Sequence, residues 1–133
     1  MSVGLLIITH DRIGERLLDT ATSMLEFCPL NAKTIAVHGS QDPDLVQERA
    51  CEYVDMLDDG DGVLVLADVY GSTPSNIAIR LLRSSRVMVV AGVNLPMLIR
   101  VLNYPKLDLG ELAQKALSGG RDGILLCKQD PWS

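Results

Sequence analysis

Short runs of apolar residues alternate along this chain with longer stretches in which apolar residues recur every three or four positions. Val3-Gly4-Leu5-Leu6-Ile7-Ile8 is continuous enough for a strand buried on both faces, and it stops at Thr9-His10-Asp11. Ile13 to Leu25 then carries Ile13, Leu17, Leu18, Ala21 and Leu25 on one helical face, closed by Phe27-Cys28-Pro29. Thr34-Ile35-Ala36-Val37 is a short strand ended by His38-Gly39-Ser40. Asp42-Pro43-Asp44 opens a second helix, with proline in the first turn and acids near its positive end. That helix reaches about Leu57, burying Leu45, Val46, Ala50, Val54 and Leu57.

The acidic turn Asp58-Asp59-Gly60-Asp61-Gly62 is expected to be a solvated loop, because it lacks the full ligand spacing and the distal glutamate of a calcium loop. Val63 to Ala67 is the third strand, ending in Asp68-Val69-Tyr70-Gly71-Ser72-Thr73-Pro74. Ser75 through Leu82 reads as a helix and Arg86 to Ala91 as a fourth strand, followed by Gly92-Val93-Asn94-Leu95-Pro96. Two helical stretches, about Pro96–Leu102 and Leu109–Leu117, come next. Gly119-Gly120 breaks the pattern, and Gly123 to Cys127 reads as a last strand. No internal repeat or linker interrupts the alternation. It predicts one domain over residues 1–133, α/β and doubly wound, on a mainly parallel sheet.

Composition narrows the function. The 133 residues are 47% hydrophobic, enough for one core, and the net charge of −5 argues against a nucleic-acid partner. A basic protein partner would be attracted instead. No apolar run has the length of a membrane span and the start lacks a signal peptide's basic segment, so a cytoplasmic protein without membrane insertion is expected. Cys28, Cys51 and Cys127 form no Cys-x-x-Cys and have no histidine set beside them. They read as structural thiols, with no metal and no cofactor expected.

The candidate chemistry lies at strand exits, where parallel α/β sheets bind ligands. His10 ends the first strand and Asp68 the third. They meet if those strands are neighbours, as in the order 2-1-3-4, whose switch point falls between them. Asp68 would then hold one ring nitrogen of His10, fix the tautomer and leave the other nitrogen as a nucleophile. The backbone N–H groups of Gly71, Ser72 and Thr73, with the two hydroxyls, would receive a phosphoryl group at the start of the following helix. Thr9, Asn94 and Pro96 are placed as residues lining the site, although Asn94 and Pro96 would equally shape the turn into a helix. His38 also leaves a strand; with no acid partner in an obvious position it reads as a surface histidine. Arg12 reads as a solvated charge, and Trp132 as a mobile tail residue or a subunit contact. A receiver-like domain would use Asp68, but it needs an acidic pair after the first strand and finds only Asp11. A nucleotide- or flavin-binding domain needs a glycine- or hydroxyl-rich loop there, and Thr9 to Glu15 supplies one glycine.

Three pieces in order at strand exits carry a resemblance. They are Ile7-Ile8-Thr9-His10, Asp68-Val69-Tyr70-Gly71-Ser72-Thr73-Pro74-Ser75-Asn76 and Gly92-Val93-Asn94-Leu95-Pro96-Met97-Leu98, with Gly119-Gly120 after them. Together they resemble the mannose-family IIA component of the phosphoenolpyruvate-dependent sugar phosphotransferase system (PTS). The resemblance implies a phosphotransferase in which His10 is phosphorylated by the histidine phosphocarrier protein HPr. Asp68 would be the orienting acid and Thr73 the phosphate-binding hydroxyl. The phosphoryl group would pass to a IIB component, expected as a separate protein because the chain closes at Ser133, or to a regulatory target. The resemblance also implies a homodimer in which the C-terminal edge strand, antiparallel, is exchanged between subunits, with Ile124 and Leu126 or their alternates buried. Ser72 departs from the family pattern, where a second glycine is usual. Serine keeps the turn as long as its φ is negative.

Overall fold

A computed structural model describes residues 2–83 and 86–129. Trp132 lies outside the described residues. The chain folds as β1 (Gly4–His10), α1 (Ile13–Leu25), β2 (Ala32–Val37), α2 (Pro43–Leu57), β3 (Val63–Ala67) and α3 (Thr73–Arg80). A 3-10 turn at Leu81–Arg83 is followed by β4 (Val87–Ala91), α4 (Leu95–Leu102) and α5 (Leu109–Asp122). The four strands form one parallel sheet in the order β2-β1-β3-β4, the order that the His10–Asp68 pairing requires.

Side chains alternate across a pleated strand, so a strand buried on both faces feeds two cores. Leu5, Ile7, Leu64, Leu66 and Val90 face one side and pack with Ala21 of α1, Met97, Leu98 and Val101 of α4, and Leu112 and Ala116 of α5. Leu6, Ile8, Ile35, Val63, Val65 and Val87 face the other and pack with Val46, Ala50 and Leu57 of α2 and Ile77 and Ala78 of α3. Every residue of β3 is fully buried. Helices on both faces hold the strand ends rigidly, which is what lets the loops at those ends carry chemistry.

One expectation is corrected at the C-terminal end. Gly119 and Gly120 do not break a helix; α5 runs through them to Asp122. A Cβ on Gly119 would stand 2.6 Å from Cβ of Arg100, and one on Gly123 would stand 2.3 Å from Cβ of Pro96. The glycines therefore let α5 lie close against α4. The edge strand expected over Gly123–Cys127 is placed in a dimer; in the single chain residues 124–128 form neither helix nor strand. A strand needs a ladder partner, and this segment has none among the described residues; Ile124, Leu125 and Leu126 stand in solvent.

The acidic turn is exposed at Asp59, Gly60 and Asp61, as a solvated loop should be, and it is organised around Asp58. Asp58 accepts the N–H groups of Gly60 and Gly62 at 2.9 and 3.0 Å, and the Arg86 guanidinium at 2.7 and 3.0 Å. The guanidinium first, and the two amides with it, hold the Asp58 carboxyl well below the usual carboxylate range. One side chain thus fastens the entry of β3 to that of β4.

Candidate functional site

The parallel register decides where the chemistry sits. Ile8 pairs with Ala67, so His10 and Asp68 leave the sheet side by side. His10 Nδ1 lies 2.8 Å from Asp68 Oδ2, and the same oxygen accepts the His10 backbone N–H at 2.8 Å. Oδ1 accepts the Val69 N–H at 2.9 Å. Burial of the carboxyl opposes its charge, but the bonds from the His10 backbone, the His10 ring and the Val69 amide outweigh that and hold Asp68 below the usual carboxylate range. An ionised carboxylate only accepts, so the proton of a neutral His10 sits on Nδ1 and the lone pair on Nε2. Nε2 has no hydrogen-bond partner among the described residues, and the His10 side chain is 49% exposed. The ring is oriented by Asp68 and open to solvent on its Nε2 side.

Asp68 is anchored from behind. Its backbone carbonyl accepts the Gly92 N–H at 2.7 Å, and Ala67 C=O accepts the N–H groups of Gly92 and Val93, both at 2.9 Å. Gly92 reaches this position at φ +93°, a region that side chains disfavour. The loop after β4 therefore holds the loop after β3.

The glycine turn after Asp68 is formed, and its amides are not equivalent. Gly71 sits at φ +86° and donates its N–H to Ser75 Oγ at 2.9 Å. Ser72 has φ −93°, so serine fits the turn without strain; its N–H and its hydroxyl both donate to Val69 C=O. The Thr73 N–H, first in α3, has no acceptor among the described residues. Thr73 lines a cavity of about 270 Å³ with His10, Val37, His38, Gly39, Gln41, Pro43 and Val46. The N-terminal ends of α2 and α3 both border this space, through Pro43 and Thr73.

The remaining sequence candidates lie elsewhere. Thr9 is fully buried, and its hydroxyl accepts the Gly14 N–H at 2.8 Å, fastening α1 to β1. Asn94 caps α4 by accepting the Met97 N–H at 2.9 Å and donates to Gly120 C=O at 3.1 Å. Pro96 is in the first turn of α4, under Gly123. Neither Asn94 nor Pro96 lines the His10 cavity. Arg12 is paired with Glu15 at 2.9 and 2.8 Å.

Sequence reading missed one pairing. His38 does have an acid: its Nδ1 lies 3.6 Å from Asp11 Oδ1. The missing signal was register, because Val37 pairs with His10 and so puts the residues after each next to one another.

Residues 4–117 match the EIIA-man family, described as "PTS system fructose IIA component". The chain belongs to the EIIA-man family. It is 32% identical over 136 residues to the PTS system mannose-specific EIIAB component of Escherichia coli K12, a match that takes in 98% of this chain and 41% of that protein. The chain thus spans about two-fifths of the length of the curated relatives it matches. Among solved structures it is similar to the mannose/sorbose-specific IIA subunit of Enterococcus faecalis, with TM-score 0.85, 24% identity and 100% of both chains covered. It is also similar to the PTS IIA protein associated with the fucose utilization operon of Streptococcus pneumoniae, with TM-score 0.73 and 26% identity over 89% of this chain and 93% of that one. EIIA-man membership accords with the sheet order. Among the described residues no group of histidine, cysteine and acidic side chains could hold a metal ion, and no helix is long and apolar enough to cross a membrane.

Proposed function

We propose that this chain is a phosphocarrier that accepts a phosphoryl group from phospho-HPr on Nε2 of His10 and passes it to a IIB component or a regulatory target. The observation that carries the reading is the 2.8 Å contact between His10 Nδ1 and Asp68, which leaves Nε2 as the reactive nitrogen. The Nε2 lone pair attacks phosphorus, and the P–N bond to the donor histidine breaks with its electron pair returning to the donor ring. The phosphorylated His10 ring keeps its Nδ1 proton and becomes cationic, and Asp68 stabilises that charge. Most of the catalysis is positioning and electrostatics, since the transferred group itself needs little covalent help.

The bonds around the glycine turn divide the roles of Gly71, Ser72 and Thr73. Gly71 and Ser72 shape the turn with amides already engaged, and the Thr73 amide and hydroxyl meet the phosphoryl oxygens at the α3 N-terminus. Onward transfer is the same reaction reversed onto a new acceptor. The apolar tail at Ile124, Leu125 and Leu126 supports a homodimer, in which residues 123–127 add as an antiparallel edge strand to the partner's sheet.

Incubation with phosphoenolpyruvate, enzyme I and HPr tests the reading. The protein should gain one phosphoryl group, labile to acid and stable to base, and His10→Ala should not. Label persisting in His10→Ala defeats the assignment.

A further inference from the structure

His10 leaves the sheet between two neighbours. On the β3 side stands Asp68; on the β2 side, one residue beyond the Val37 that pairs with His10, stands His38. His38 and His10 line the same cavity, and they are the two residues of its lining that can carry a positive charge. The other lining residues, Val37, Gly39, Gln41, Pro43, Val46 and Thr73, are neutral.

The position of His38 is built rather than incidental. Its N–H donates to Gln41 Oε1 at 2.8 Å, and its C=O accepts the Gln41 N–H at 3.2 Å, closing the turn after β2. Its imidazole Nδ1 faces the Asp11 carboxylate at 3.6 Å. Asp11 takes φ +47°, a left-handed conformation that aspartate adopts more readily than most non-glycine residues. Its N–H is held there by Val37 C=O at 2.9 Å. That conformation, directly after the candidate nucleophile, sets Asp11 Oδ1 3.6 Å from the second imidazole.

We infer that His38, oriented by Asp11, is a phosphoryl-binding residue that donates from Nε2 to the phosphoryl group carried on His10. The inference rests on the phosphocarrier reading of His10. The need for it follows from charge. A phosphoryl group on His10 brings negative charge into a cavity flanked by the carboxylates of Asp68 and Asp11, with the Asp42 carboxylate at the adjacent start of α2. Arg12 is committed to Glu15, and no lysine or arginine lines the space. With Asp11 Oδ1 3.6 Å from its Nδ1, the His38 imidazole in its cationic form would supply a positive charge and a donor on the side opposite Asp68. Asp68 serves the ring, Thr73 and His38 serve the phosphoryl oxygens.

The test is the equilibrium of phosphoryl exchange with phospho-HPr, read from the fraction of each protein labelled. A merely structural His38 leaves that equilibrium unchanged, whereas a group that touches the phosphoryl oxygens shifts it. His38→Asn should move it about tenfold toward phospho-HPr, a value reduced from that of a buried charged hydrogen bond because His38 is half exposed. His38→Lys, which restores a cation, should recover part of the shift. Asp11→Asn, which tolerates the same backbone conformation, should give a smaller shift in the direction of His38→Asn. Parental equilibrium in both His38 variants, with the parent labelled on His10, overturns this inference alone. A parent unlabelled on His10 overturns the phosphocarrier reading and this inference with it. Label found on His38 itself also overturns it, since the residue would then be an acceptor rather than a binding group.

Discussion

At the scale of single residues, Asp68 is expected to act through charge as much as shape. Asp68→Asn keeps the size of the side chain and removes the negative partner of the ring. It should slow phosphoryl acceptance by about 10²-fold, the usual scale for such partners, with the fold intact. Stopped-flow or quenched transfer from phospho-HPr measures it, and a parental rate would make Asp68 structural. The histidine and this aspartate were legible because each ends an uninterrupted apolar run. The Asp11–His38 pair was not, because its members lie on different strands and only register brings them together. Thr9 and Asn94 show the limit of position alone, and for Asn94 the structure shows the alternative reading, a residue that shapes the turn into a helix. Both are polar residues at strand exits, yet their side chains satisfy helix-start amides rather than the cavity.

Elements were readable wherever one period dominated. α1 and α2 fall where the helical spacing put them, and β3 where the apolar run put it. Glycine misled at the end of the chain, because its low helix propensity is local while its use here is tertiary. Gly119→Ala would gain up to about 1 kcal/mol of propensity, yet it should lower stability by about 1–3 kcal/mol because its Cβ meets Cβ of Arg100 across the α4–α5 contact. Thermal melting decides between the two signs; a raised Tm would show that α5 can shift freely. The Asp58 turn gives a pH signature. Its carboxyl is depressed in the folded state, so its stabilisation is complete above the unfolded value of about 4 and fades as pH falls toward the folded value. Asp58→Asn should therefore lose about 1–2 kcal/mol in urea unfolding at pH 7, allowing for the half-exposed Arg86, and the gap to the parent should narrow below about pH 4. An equal gap at pH 7 and pH 3 would remove Asp58 as its cause.

For the whole molecule, the parallel sheet and its two cores follow from strand–helix alternation, whereas the proposed dimer would cover the C-terminal tail with a second chain, which no pattern within one chain displays. Leu126 is 93% exposed, and three consecutive large apolar side chains in solvent favour association. Sedimentation equilibrium at micromolar concentration should give a dimer, and removal of residues 124–133 should give a monomer. A parental monomer, or a truncated dimer, would contradict the exchange. The central claim is more local: the 2.8 Å bond to Asp68 reserves Nδ1 of His10 and leaves Nε2 to carry the phosphoryl group. The most direct measurement is 15N–1H correlation NMR on the 15N-histidine-labelled protein after phosphorylation by phosphoenolpyruvate, enzyme I and HPr. The account predicts one phosphohistidine, at residue 10, substituted on Nε2 with the proton retained on Nδ1. Substitution on Nδ1 of His10, or a phosphohistidine at residue 38, would contradict it.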